Sequence, residues 1–365
     1  MARLMVMVDC PRVQGEGVVK VKVPWVKEPW VLENETSAVI FPKGQRKVLE
    51  LPHCLSFILN ISRLVDEPPN VKLPLVPGHE LRRATTAEVV AIKGVLTFYT
   101  SKPGWSAWQG GKTVRNKDKS TSRAPLPADQ WRYFVIEFQG SNETIAGIER
   151  ALCIAPLELK VGFTLLREVF PGELVAPMLI YNAGRLFSQL QSIEQDKLQF
   201  FDVSAAVAKN IGLLHQQINN CDQKLVNLAR FTQQMLELDA LPSQSPLLFL
   251  GYFAILESLL THQPKPTDTI DSITRQVKRK IVLLDNRWQP RIDYSPFPKS
   301  APEKIWSVMY SYRSCLAHGG EPDFKKELHL LVDVDSALKL LKQTLKGVLR
   351  QALTEPQLIV DLRDC

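Results

Sequence analysis

The sequence predicts an α+β chain: a β-rich N-terminal domain, a sandwich or small barrel, followed by an all-α helical bundle. Three observations predict it. Short β-branched or alternating runs separated by prolines fill the first 140 residues. Apolar residues at three- and four-residue steps dominate from about residue 200 onward. A length of 365 residues supplies enough chain for two cores. The expected domains are 1–170, β-rich; 171–200, a helical connector; 201–355, the bundle; and 356–365, a C-terminal tail.

In the first half the expected strands are Val18–Val23, Ser37–Phe41, Lys47–Leu51, Val89–Thr100 and Tyr133–Phe138. Pro24, Pro29, Pro42, Pro52, Pro68 and Pro69 punctuate them. Asn142–Cys153 reads as a short helix, Leu157–Leu166 as a last strand, and Leu174–Ile193 as a helical bridge between the halves.

A basic stretch stands out between Ser101 and Pro127. Lys102, Lys112, Arg115, Lys117, Lys119 and Arg123 face a single acid, Asp118, with Trp105 and Trp108 at the start. Such a loop either grips single-stranded nucleic acid by charge and stacking, or is a mobile, solvated loop whose tryptophans belong to the β core.

Phe201–Leu238 carries apolar residues at helical steps over its whole length. It reads as one long amphipathic helix capped by Asp202 or Ser204, spanning the bundle or serving a dimer. Ser245–Pro246 opens a helix that is apolar almost all round and therefore central, with Glu257 embedded in it. A buried carboxylate needs a partner: either a bundle arginine, for packing alone, or Arg313, whose orientation it would fix. Asp268 or Thr267 caps a third helix, whose inner stripe is Ile270, Ile273, Val277, Ile281 and Leu284. Arg275, Lys278 and Arg279 lie on its other face, a solvated face or a guide for a phosphate backbone. After a proline-rich connection, 286–299, Ser300–Gly320 forms another helix. Ser300 and Glu303 form a capping box at its start, and Gly319–Gly320 ends it. The last helix, Val334 to Leu353, turns Leu338, Leu341, Leu345 and Leu349 inward and Lys339, Lys342 and Lys346 outward.

Arg313 and His318 mark the end of the Ser300–Gly320 helix. In a regular helix their side chains diverge by about 140°. If the glycines let the helix unwind at His318, both reach one cleft. Arginine forks onto phosphate oxygens and histidine moves a proton near neutral pH, which suits metal-free RNA cleavage.

The segment IWSVMYSYRSCLAHGG, 305–320, resembles the Tyr-x-x-Arg-Ser-x-x-x-His-Gly signature of the HEPN superfamily, in its Apea-like branch. LLFLGYFAILESLLTH, 247–262, is similar to that branch's apolar helix with one glutamate, and DSITRQVKRKIVLL, 271–284, to its middle helix. The resemblance covers roughly 200–355. It implies a helical bundle and a metal-independent endoribonuclease with Arg313 and His318 catalytic and Glu257 supporting. Arg275, Lys278, Arg279, Lys112, Arg115 and Lys117 are the candidate RNA contacts. It also implies a homodimer through the helical half, and an antitoxin or defence-system partner in a prokaryotic setting. The alternative is a HEPN-type module that binds RNA or protein without cutting. One departure concerns regulation: where nucleotidyltransferase-paired HEPN toxins carry a tyrosine, two residues after the histidine, this chain has Gly320.

Composition adds bounds. The net charge of +7 leans weakly toward polyanions, because 45 basic residues face 38 acidic ones. Six cysteines without a Cys-x-x-Cys pair fit free thiols in a cytoplasmic protein. No Walker A, Rossmann or His-Glu-x-x-His pattern occurs, so neither a cofactor nor a metal is expected, and no apolar run is long enough for a membrane span.

Overall fold

The computed structural model describes residues 53–65, 68, 71–100, 106–116, 119–139, 142–167, 199–242, 244–263 and 272–365, with three strands before them. Those strands, β1 (Val19–Val21), β2 (Trp30–Glu33) and β3 (Ala38–Val39), pair antiparallel. The Lys47–Leu51 strand and the Leu174–Ile193 bridge lie outside the described residues.

One open sheet organises the N-terminal half, in place of the expected sandwich or barrel. Its strands are β4 (His53–Ile58), β6 (Lys72–Val76), β7 (His79–Arg83), β10 (Phe134–Gln139) and β11 (Val161–Arg167), in the order β11-β4-β10-β7-β6, antiparallel throughout. The short strand β5 (Ile61–Leu64) pairs elsewhere. Both faces of the sheet are apolar and covered. Leu55, Phe57, Val135, Phe163 and Leu165 on one face pack with α1 (Thr86–Thr100) and with Trp108 of the short α2 (Ser106–Gln109). Leu81, Phe134, Ile136 and Phe138 face the other way, toward α3 (Glu143–Ile154) and the helical half. A sheet covered by helices on both faces needs no second sheet to bury its side chains.

The run Val89–Thr100, expected as a strand, is the body of α1. Thr85 and Glu88 start it with a reciprocal capping box: the Glu88 carboxylate accepts from the Thr85 N–H at 2.8 Å, and the Thr85 hydroxyl accepts from the Glu88 N–H at 3.4 Å. Val89, Ile92 and Leu96 then recur at three- and four-residue steps and are buried. The basic loop holds a hairpin, β8 (Gly111–Arg115) with β9 (Thr121–Pro125).

The stretch Phe201–Leu238 is not one helix. Phe201–Val203 forms β12, parallel to β5, so the chain leaves the sheet side only at Ser204. Ser204 then caps α4 (Ala205–Asn220) through the Val207 N–H. The helix breaks at Cys221–Val226. There Gln223 donates to the carbonyls of Ile218 and Cys221, and Asn227 caps α5 (Leu228–Leu238) through the Arg230 N–H. The stripe expected to span the bundle or serve a dimer is thereby folded back and buried: Ile211, Leu214, Ile218, Leu228 and Met235 all belong to the core. Where α4 crosses the sheet edge at Gly212, a Cβ would stand 1.9 Å from the Leu75 carbonyl oxygen, so only glycine permits this approach.

The remaining helices are α6 (Pro246–Leu260), α7 (Ile273–Asp285), α8 (Pro302–Ala317), α9 (Val334–Thr354) and α10 (Pro356–Asp364). Ser272 caps α7; the expected caps Asp268 and Thr267, and Ile270, lie outside the described residues. The residues read as a tail form α10, which packs on α6 and α9 through Ile359 and Leu362. The two halves are not insulated from each other. Helix α3 packs against α4, α5 and α9, and one core cluster runs from the sheet into the bundle.

Candidate functional site

Helix α8 begins differently from expectation. Ala301 is its N-cap, without a side-chain cap bond, and Pro302 occupies the first turn. The Ser300–Glu303 box does not form, because the helix starts one residue later than Ser300 would need. Ile305, Met309 and Tyr312 are buried on its inner stripe, with Leu316 half-buried. The end is a full Schellman turn. Gly319 adopts φ +72, its N–H bonds the Leu316 carbonyl at 3.2 Å, and the Gly320 N–H bonds that of Cys315 at 2.8 Å. A Cβ at residue 320 would lie 2.9 Å from Cys315 Sγ and 3.2 Å from the Cys315 carbonyl oxygen, so a larger residue there would have to displace the Cys315 side chain.

His318 is the C-cap of α8 and is exposed. Its N–H still bonds the Ser314 carbonyl at 3.1 Å, so the helix does not unwind before it. The regular winding keeps its side chain about 140° from that of Arg313. Among the described residues no hydrogen bond links His318 to Arg313 or Glu257. The expectation that both reach one cleft within a chain is therefore corrected: the turn begins after His318, too late to swing it.

Arg313 and Glu257 do meet. Nη2 of Arg313 donates to Oε2 of Glu257 at 3.1 Å, across the contact between α6 and α8. The arginine side chain is 31% exposed and the glutamate 15%, so the carboxylate is the anchored partner and the guanidinium reaches toward solvent. The guanidinium also sits 5.7 Å above the centre of the Tyr310 ring, which packs edge-on against Phe253 of α6. One N–H of five is engaged by Glu257. The others can fork onto an anion.

The remaining candidates are scattered. On α7, which packs on α8, Arg275 and Lys278 are half-buried and Arg279 is exposed. Lys112 and Arg115 stand exposed on β8; Lys117 lies outside the described residues. Trp108 is not available for stacking on a nucleic acid. It is fully buried and donates to the Leu59 carbonyl at 2.6 Å.

A second group of charges was not visible in the sequence. Lys342 and Lys346, expected to point outward, turn inward from α9. Lys342 pairs with Asp239 at 3.0 Å and Lys346 with Glu158 at 3.0 Å, and the Tyr252 hydroxyl donates to Asp239. With Lys160 and Cys153 they line a cavity of about 70 Å³ between α3, α5 and α9. Burial works against the Lys342 charge, but Asp239 and Glu158 outweigh it and hold its pKa above the ordinary lysine value. For Asp239 burial would raise the pKa, and Lys342 and Tyr252 hold it below the usual aspartate value. Leu341 and Leu345 make one buried stripe of α9; beside it Lys346 is buried and Lys342 half-buried, while Lys339 is exposed as expected.

His215 of α4 and His79 of β7 are a third feature. His79 is buried and stacks on Phe138 at 4.9 Å between ring centres. His215 crowds Gly147 of α3, where a Cβ would lie 2.6 Å from its Nε2. Burial lowers both pKa values, and Arg150 and His79 lower that of His215 further.

Among the described residues no group of three or more His, Cys, Asp or Glu could hold a metal ion, and no helix is long and apolar enough to cross a membrane. Comparison with protein families, with curated proteins and with solved structures returns no match to this chain.

Proposed function

We propose that the chain is a metal-independent endoribonuclease of the HEPN type, acting as a two-fold dimer. The observation that carries the reading is the Arg313–Glu257 pair: a guanidinium anchored on one side and open on the other, on the same helix end as an exposed histidine. In the proposed reaction His318 takes the proton from a ribose 2′-OH while the 2′-oxygen bonds to phosphorus. The bond from phosphorus to the 5′-oxygen breaks, and the imidazolium returns its proton to that oxygen. Arg313 holds the nonbridging oxygens as their charge grows. The products are a 2′,3′-cyclic phosphate and a 5′-hydroxyl end.

Within one chain Arg313 and His318 face apart, so a working site needs Arg313 from one copy and His318 from the other. The RNA contacts proposed beside it are Arg275, Lys278 and Arg279, with Lys112 and Arg115 as more distant ones. A cytoplasmic defence or toxin–antitoxin setting, with an antitoxin or defence partner, belongs to the same reading. The test is purified protein on mixed RNA with EDTA present. Cyclic-phosphate ends that accumulate despite the chelator support the proposal. No cleavage at any protein concentration favours the second reading, a module that binds RNA or protein without cutting, which the divergence of the two side chains also fits.

A further inference from the structure

Three lysines converge on the cavity of about 70 Å³ between α3, α5 and α9. Two of them are ion-paired there, Lys342 with Asp239 and Lys346 with Glu158, each at 3.0 Å. The third, Lys160, is not. Among the described residues its ammonium has no ion pair and no hydrogen bond, although it lies close enough to Lys342, Asp239, Glu158 and Lys346 to feel the charge of all four. Glu149 and Cys153 of α3 also line the cavity. A half-buried ammonium without an acceptor is unusual, because a desolvated charge ordinarily finds a partner.

The backbone holds this lysine in place. Its N–H donates to Oδ1 of Asn60 at 2.8 Å, and its carbonyl accepts from the Leu59 N–H at 2.8 Å. Asn60, itself fully buried, also donates to the Glu158 carbonyl. The segment just before β11 is thus strapped to the end of β4, with Glu158 and Lys160 both on the cavity wall. Asp239 has an oxygen to spare. The Tyr252 hydroxyl and Lys342 both donate to its Oδ1, and Oδ2 has no partner among the described residues. Burial, and then the neighbouring Lys342 charge, hold the Lys160 pKa below the ordinary lysine value, which favours the neutral, nucleophilic amine. Burial shifts Lys346 the same way, but its amine donates to Glu158.

We infer that Lys160 is a Schiff-base amine and that the cavity takes a short 2-oxo acid. The volume is several times the roughly 10–15 Å³ that one water needs, and far below the roughly 300 Å³ at which pockets for larger ligands begin. Lys342 and Lys346 each have further N–H groups, which suit the carboxylate of such an acid. The Lys160 nitrogen bonds to the keto carbon. Oδ2 of Asp239 carries the two amine protons in turn to the keto oxygen, which leaves as water, and a C=N bond stands where C=O was. Nothing in this chemistry depends on RNA cleavage.

The test treats the full chain with pyruvate and cyanoborohydride at neutral pH and maps the reduced adduct by peptide mass spectrometry. The adduct should form on Lys160 at least about tenfold faster than on the exposed Lys112 and Lys339. That preference for Lys160 should be about tenfold smaller with acetone, which lacks the carboxylate. Lys160→Arg keeps the charge and cannot form the imine, so the adduct should be lost. An unmodified Lys160, Lys346 labelled first, exposed lysines labelled as fast, or the same preference with acetone overturns the inference.

Discussion

His318 and Arg313 make opposite demands on their surroundings. His318 is exposed beyond the buried stripe of α8, so truncating it opens no cavity. We expect His318→Ala to abolish RNA cleavage and to leave the melting temperature unchanged; cleavage at the wild-type rate would remove it from the site. Arg313 is half-buried against Glu257, whose other oxygen, Oε1, is buried with no partner among the described residues. Arg313→Ala therefore lowers both rate and melting temperature, the latter because the carboxylate loses the hydrogen bond that Arg313 gives it, at a cost of about 1–3 kcal/mol. Arg313→Lys keeps the charge but loses the fork, and should fall with alanine by about a hundredfold in rate. A destabilised Arg313→Lys that still cuts would assign the residue to structure alone. Histidines deeper in the fold report through stability. His79 and His215 have lowered pKa values in the folded chain, so the unfolded chain binds more protons as the pH drops below the ordinary value of 6.5. Stability should fall between pH 6.5 and 5, before the paired carboxylates titrate, since their pKa values are lowered as well. His215→Gln should flatten that slope in thermal melts at a series of pH values; an unchanged slope would place the sensitivity elsewhere.

At the level of elements, an expected capping box and an unexpected one had opposite outcomes. Thr85 and Glu88 form theirs in both directions, and α1 follows from it. Ser300 and Glu303 do not, because Pro302 sets the start of α8 and Ala301 becomes its N-cap. Thr85→Ala should therefore cost about 1 kcal/mol in denaturant unfolding, while Ser300→Ala should cost almost nothing. Equal losses would mean that the hydroxyl of Thr85 does not cap α1. The same contrast explains the misread strand. Val89, Ile92 and Leu96 carry the helical period, but the β-branched and aromatic residues of the run, with Gly94 in its middle, make it look extended. The break between α4 and α5 was legible in principle, from Asn219, Asn220, Asp222 and Asn227, residues whose side chains compete for backbone bonds. The apolar period continues across the break, which hid it.

For the molecule as a whole, folding back α4 and α5 removes the apolar surplus that first suggested a dimer, since that stripe is now core. The reason for a second copy is instead the divergence of Arg313 from His318. It makes a sharp prediction. Arg313→Ala and His318→Ala, each inactive alone, should regain cleavage when mixed and allowed to exchange. A random mixture restores one site in half of the dimers, so about a quarter of wild-type activity is expected. No recovery, with dimers confirmed by light scattering, would contradict a site built from two chains.

The chain's local periods and signals by themselves determined the α+β character, the helical second half, the stripe of α8 and the need of Glu257 for a cationic partner, which the fold supplies as Arg313. Each rests on residues a few positions apart or on the rule that an embedded charge finds a partner. Only the tertiary structure decided the rest. It made the sheet a middle layer, because helices from distant parts of the sequence cover both of its faces. It turned Lys342 and Lys346 inward, because Asp239 and Glu158 arrive from α5 and from the segment after α3. Burial and partners of this kind depend on which surfaces meet across the fold, which no window along the sequence contains.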